Sequence, residues 1–173
     1  MTIFILITLA LIIAAILIAG MVMRKEMVIT SEIVIDRPKD AVWNFVKLLR
    51  NQEKYNTWIM SDPNIKMDYK GVDGMAGFIA TWQSKTRMGD GEQEILQVNE
   101  GESFEAELRF SNHENVTLVE TTVESIESNK TKVSTVMRAT PSFPMNLMMP
   151  IMKNMLKKNM EQNNENLKRI LEV

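Results

Sequence analysis

The sequence predicts an α+β domain: a curved antiparallel sheet of about six or seven strands wrapped on a long C-terminal helix, preceded by one transmembrane helix. Three observations carry this reading. Between 27 and 140 the chain passes through short segments of alternating polarity, separated by turns bearing Gly, Asn and Asp. From 145 onward the periodicity changes to that of an amphipathic helix. Met145, Met149, Met152, Leu156, Leu167 and Ile170 share one face, Met148, Met155 and Asn159 lie at its edge, and the charges after Met152 fall opposite. Finally, no charged residue occurs from Thr2 to Met23.

That uncharged stretch has the length and composition of a membrane-spanning helix, for which about 20 apolar residues suffice. A cleaved signal peptide would carry a basic segment before a shorter apolar core, and nothing basic precedes this one. The expected organisation is therefore an anchor over 1–23, in contact with the membrane through residues 3–22, a linker over 24–26 and a domain over 27–173. The basic pair Arg24-Lys25 follows the span, so the positive-inside tendency puts the domain on the cytoplasmic side of a single-pass protein.

Composition narrows the function. The chain carries 20 Lys and Arg against 22 Asp and Glu, a net charge of -2. A nucleic-acid partner is not expected, because it would need a basic face. With no cysteine there is no thiol nucleophile, and a single histidine cannot supply a metal cluster or a catalytic relay by itself. Neither a metal nor a cofactor is expected, and no catalytic residue is assigned. His113 reads as a solvated turn residue within Ser-Asn-His-Glu-Asn.

The elements follow in order. Residues 27–36 alternate as a strand, with Ile29, Ser31, Ile33 and Ile35 on one side. Asp36-Arg37-Pro38 then supplies a cap and a first-turn proline for a helix through Ala41, Val42, Phe45, Val46 and Leu49. A second short helix is expected over 52–59, ending before Asp62-Pro63. Strands follow at 65–70 and 78–84, joined by Gly71-Val-Asp-Gly-Met-Ala-Gly77. These glycines read as a hairpin turn; a phosphate loop would lead into a helix carrying Lys and Ser or Thr. Further strands are expected at 92–98, 103–110, 116–126 and 131–140. Pro150 means that the terminal helix either begins near it or breaks there.

Several of these phrases, in this order, resemble the START-like (SRPBCC) superfamily, specifically the polyketide cyclase/dehydrase-like proteins. Ile33-Val-Ile-Asp-Arg-Pro-Lys-Asp-Ala-Val-Trp43-Asn-Phe45-Val resembles the family's first strand and helix, and Tyr55-Asn-Thr-Trp58 the aromatic end of its second helix. Gly71 to Trp82, then Gly89-Asp-Gly-Glu-Gln-Glu-Ile95, resemble its Gly-rich turn and the strands after it. Thr131-Lys-Val133 and Asn166-Leu-Lys-Arg-Ile-Leu-Glu172 resemble its later parts, so the likeness covers 27–173. It implies a helix-grip fold, in which the sheet holds the terminal helix around an internal cavity. It also implies a lipid, sterol, polyketide or other hydrophobic small molecule as the partner, with a minority of members being enzymes. An anchor before the domain departs from the family pattern.

The candidate ligand pocket consists of Met145, Met148, Met149, Met152, Met155, Leu156 and Asn159 on the terminal helix, with Tyr55, Trp58, Trp82 and Phe104 opposite. Methionine is flexible and polarizable and suits an adaptable apolar wall. The same stripe and the same aromatics, Trp43 among them, would also serve as ordinary core. Tyr55 and Trp82 are favoured for the pocket by the resemblance, which puts them near the cavity mouth. Asn159 and Asn163, on the apolar side of the wheel, either orient a ligand or satisfy a strand carbonyl. Glu92 and Glu94 share one strand face and read as solvated. Three functions stay open: binding of a lipid or other hydrophobic molecule, a cyclase/dehydratase-type enzyme, and a partner-binding domain with a filled core.

Overall fold

In a computed structural model of the chain, residues 1–22, 26–86, 89–111 and 115–173 are described, without the side chains of 19, 21 and 22. Arg24-Lys25 and His113 lie outside the described residues. The elements are α1 (Thr2–Val22), β1 (Met27–Ile35), α2 (Lys39–Val46), a 3-10 turn (Leu49–Lys54), α3 (Thr57–Ser61), β2 (Lys66–Lys70) and β3 (Ile79–Gln83). After them come β4 (Gly91–Asn99), β5 (Ser103–Phe110), β6 (Val116–Glu127), β7 (Lys130–Ala139), a second 3-10 turn (Met145–Met148) and α4 (Met149–Leu171).

The strands form one antiparallel sheet in the order β1-β7-β6-β5-β4-β3-β2. β2 to β7 run as a meander, while β1 pairs with β7 at the far edge, so α2 and α3 carry the chain from one edge of the sheet to the other. Register irregularities at Ile95/Gln97 and Ser125/Glu127 add local twist to the strands that carry them. α4 packs chiefly on β1. Sheet and terminal helix together make a helix-grip α+β fold, as expected.

Alternation decides which side of each strand is buried. Phe104 and Ala106 on β5, Ile95 on β4 and Val133 on β7 point into a core shared with Val42, Trp43 and Val46 of α2 and with Leu167 of α4. A second cluster joins Met27 and Ile29 of β1 to Leu156 and Met160 of α4. Between 71 and 77 the turn uses glycine where φ is positive, at +95° for Gly71 and +83° for Gly77. Asp73 in that turn accepts the Leu49 and Arg50 N–H groups and so caps the first 3-10 turn (2.8 and 3.1 Å).

Three expectations are corrected. The helix expected over 52–59 is a 3-10 turn followed by the short α3, which starts after Asn56; the Asn56 side chain accepts the Trp58 N–H. The methionine stripe is not one helix; of the two readings of Pro150, the one in which the helix begins near it holds, since Pro150 stands in the first turn of α4, where its missing N–H costs nothing, and Met145–Met148 form a separate 3-10 turn. The buried face of α4 is Leu156, Met160, Asn164 and Leu167, whereas Met148 and Met155 are exposed.

The third correction concerns the membrane. α1 is helical and its described large apolar side chains are exposed. Among the described residues, however, no helix is long and apolar enough to cross a membrane. The single-pass assignment, with its anchor and cytoplasmic side, is withdrawn on that finding.

Candidate functional site

Between the sheet and α4 lie two adjoining chambers, each partly open to the outside. The inner one, about 160 Å³, lies over the middle of the sheet between Ala80, Trp82, Gln93, Phe104, Thr121 and Val133 on one side and Met160, Asn164 and Leu167 of α4 on the other. The outer one, about 630 Å³, is walled by Met145, Met149, Met152 and Met155, with Met27, Met137, Ala139 and Pro141 across from them. Trp58, Leu108, Phe110, Met137, Leu156 and Asn159 line both chambers and form the neck between them.

Each wall is held by contacts the sequence makes locally intelligible. The Trp82 indole N–H donates to the Gly89 carbonyl at 3.0 Å, and its ring meets Phe110 edge-on at 5.6 Å. Phe104 is buried against Trp43 at 6.4 Å, and the Trp43 N–H reaches Glu100 at 2.9 Å. Asn163 and Asn166 fasten the segment carrying Tyr55 and Trp58 to α4. Asn163 Oδ1 accepts the Thr57 N–H at 2.8 Å, and Asn166 Nδ2 donates to the Tyr55 carbonyl at 3.1 Å. The backbone partner of Asn163 is thus a helix-start N–H, in place of the strand carbonyl considered from sequence.

Of the residues singled out from sequence, Tyr55, Phe104 and Trp82 line the inner chamber, and Met145, Met149, Met152 and Met155 the outer. Trp58, Leu156 and Asn159 line both. Met148 lines neither and is 48% exposed. Sequence reasoning missed Gln93, Met160 and Asn164, all buried. Gln93 was accessible to the same logic as its neighbours: if Glu92 and Glu94 face outward, the residue between them faces inward.

No Asp, Glu, Lys, Arg or His lines either chamber among the described residues. The one ionisable group that the described residues put on the walls is the Tyr55 phenol, which burial pushes well above its ordinary range, so it keeps its proton. Polar capacity comes instead from neutral groups. Asn164 Nδ2 donates to the Ser31 hydroxyl at 2.8 Å, and Thr121 meets Thr135 at 3.4 Å. The side-chain amides of Gln93 and Asn159 have no hydrogen-bond partner among the described residues. Glu92 and Glu94 lie on the opposite face of the sheet, where both pair with Arg109 together with Glu107. Among the described residues, no group of three or more Asp, Glu or His side chains is arranged to hold a metal ion.

The family model described as polyketide cyclase / dehydrase and lipid transport matches residues 26–172. Norcoclaurine synthase from Thalictrum flavum, solved in complex with dopamine and hydroxybenzaldehyde, superposes with a TM-score of 0.64 at 11% identity, over 89% of this chain and 91% of that one. Protein CV1439 from Chromobacterium violaceum gives 0.61 at 13% identity, over 84% and 98%. Protein Ms6760 from Mycobacterium smegmatis gives 0.56 at 17%, over 85% and 90%. At these identities the likeness is one of fold. No curated protein matches the chain in sequence.

Proposed function

The chain belongs to the polyketide cyclase/dehydrase and lipid transport family, and from that premise we propose that it is a binding protein holding a lipid or other hydrophobic small molecule in its two-chamber cavity. The observation that carries this reading is the outer chamber, about 630 Å³ with six methionines in its wall. Ordinary small-molecule sites run from about 300 to 1,000 Å³, lined mainly by apolar side chains. Methionine adds adaptability, since its side chain repacks around ligands of different shape at little cost. Met145, Met149, Met152, Met155, Leu156, Asn159 and the aromatic residues Tyr55, Trp58, Trp82 and Phe104 are the proposed contact residues.

A cyclase- or dehydratase-type reaction needs a group that gains or loses a proton beside the substrate. Among the described residues the walls offer only Tyr55, whose phenol burial holds in its protonated, uncharged form, so binding without turnover fits the lining better. A filled core that serves only as a scaffold for a partner fits less well with an outer chamber of about 630 Å³.

Uptake of diphenylhexatriene, a hydrocarbon that fluoresces only out of water, tests the reading on the full chain. Saturable uptake that Met152→Glu abolishes is the expected result. Uptake that Met152→Glu leaves unchanged, or none at all, would overturn it.

A further inference from the structure

We propose that the inner chamber is a head-group subsite for an uncharged hydrogen-bonding group, such as a hydroxyl, carbonyl or amide, whose hydrocarbon body runs through the neck into the methionine-walled chamber. The inference rests on the binding reading above and adds to it the ligand's chemical class and its orientation.

Three observations carry it. First, the chambers differ in size in the required way: about 160 Å³ is too small for a whole ligand by the usual lower bound of about 300 Å³, yet it admits a small terminal group of a molecule whose bulk fills about 630 Å³. Second, the inner chamber offers a free amide to a ligand. Gln93 is only 6% exposed, lines the inner chamber alone, and its amide has no partner among the described residues. A buried primary amide offers two donors and one acceptor, and leaving them unpaired is unfavourable unless a ligand or water meets them. Asn159, at the neck, adds a second amide with no partner among the described residues. Third, among the described residues nothing in either wall compensates a charge. With no described Lys, Arg or His lining the cavity, a carboxylate or phosphate would lose its hydration for amide contacts alone; with no described Asp or Glu, a quaternary ammonium would fare no better.

Gln93 faces inward because β4 alternates. Glu92 and Glu94 are drawn outward to Arg109, which β5 presents on the same outer face, while Gln93 pairs in register with Leu108 of the neck. The outer ion-pair cluster and the inner amide are thus two consequences of one alternation.

Displacement of diphenylhexatriene from the full chain separates the outcomes, using decanol, decanoate and decyltrimethylammonium as competitors with one chain length and three charges. Cavity binding is taken as the signal that Met152→Glu removes. The expected result is that decanol displaces the dye at least about tenfold more effectively than either ion. Gln93→Met, close in volume and without the amide, should weaken decanol relative to the dye by about tenfold, the worth of one hydrogen bond. Asn159→Leu, at a half-buried position where folding is less at risk, should weaken decanol by a smaller factor. If decanoate competes as well as decanol, or if both substitutions leave the alcohol's preference intact, the head-group subsite is overturned while the binding reading stands. If the dye is not taken up at all, the binding reading fails and this inference fails with it.

Discussion

Gly91 stands directly opposite Trp82 in the β3–β4 register, and the indole occupies the space a side chain at 91 would need. A Cβ there would lie 2.9 Å from Trp82 Cε2, nearer still to Cζ2, and 2.6 Å from the Arg109 carbonyl. The ring could swing aside, but the backbone oxygen of the neighbouring strand cannot. Gly91 thereby sets where the wall of the inner chamber falls. Gly91→Ala is expected to destabilise the domain by about 1–3 kcal/mol through overpacking and to lower its Tm by several degrees. Differential scanning calorimetry checks the first, and a changed tryptophan emission spectrum reports displacement of Trp82. An unchanged Tm with an unchanged spectrum would mean the indole does not sit over Gly91.

Asn164 and Ser31 bind α4 to β1 across the core, at 2.8 Å between two residues that are each more than nine-tenths buried. Removing either leaves a buried polar partner unsatisfied, so Asn164→Ala and Ser31→Ala should each cost about 1–3 kcal/mol. The double substitution should cost less than the sum of the two, because the second change removes the group the first left unpaired. Urea unfolding of the four proteins measures the coupling; strict additivity would show that the bond contributes nothing.

Both tyrosines of the chain have phenols pushed above their ordinary range: Tyr55 by burial, and Tyr69 by burial first and then by its hydrogen bond to Glu53. The unfolded chain ionises its phenols near pH 10, whereas the folded chain keeps these protons. The unfolded state therefore binds fewer protons above that pH, and stability falls as pH rises. Below about pH 9 the contribution is fully present. Tyr55→Phe should flatten, without abolishing, the loss of stability between about pH 9 and pH 11, as read from urea midpoints. Parallel pH profiles for wild type and variant would rule out an effect of Tyr55.

The strands were the most legible part of the sequence because alternation and turn residues agree there. β5 matches its expected span of 103–110, and neighbouring strands differ from theirs by about one residue at an end. The terminal helix was legible in periodicity but not in where it starts, since Pro150 is equally compatible with a first turn and with a break. The apolar N-terminal stretch was read correctly as helical by composition, whereas the membrane assignment built on it is not supported by the described residues. The cavity was legible only through the family resemblance, and neither its size nor its division into two chambers was. A cavity arises where opposed side chains fail to meet, and that depends on the separation of α4 from the sheet, which no single segment encodes. For the same reason Met160 and Asn164 escaped notice while the more conspicuous methionines before them drew attention, and Met148, on the edge of the wheel, turned out to face away.

The central claim, that the cavity holds a hydrophobic small molecule, is tested most directly by native mass spectrometry of the full chain as purified from cells. The account predicts a fraction of wild-type protein heavier than the polypeptide by the mass of a releasable apolar compound, and none of that species for Met152→Glu. Bare polypeptide mass in both proteins, even after incubation with a lipid extract, would contradict it.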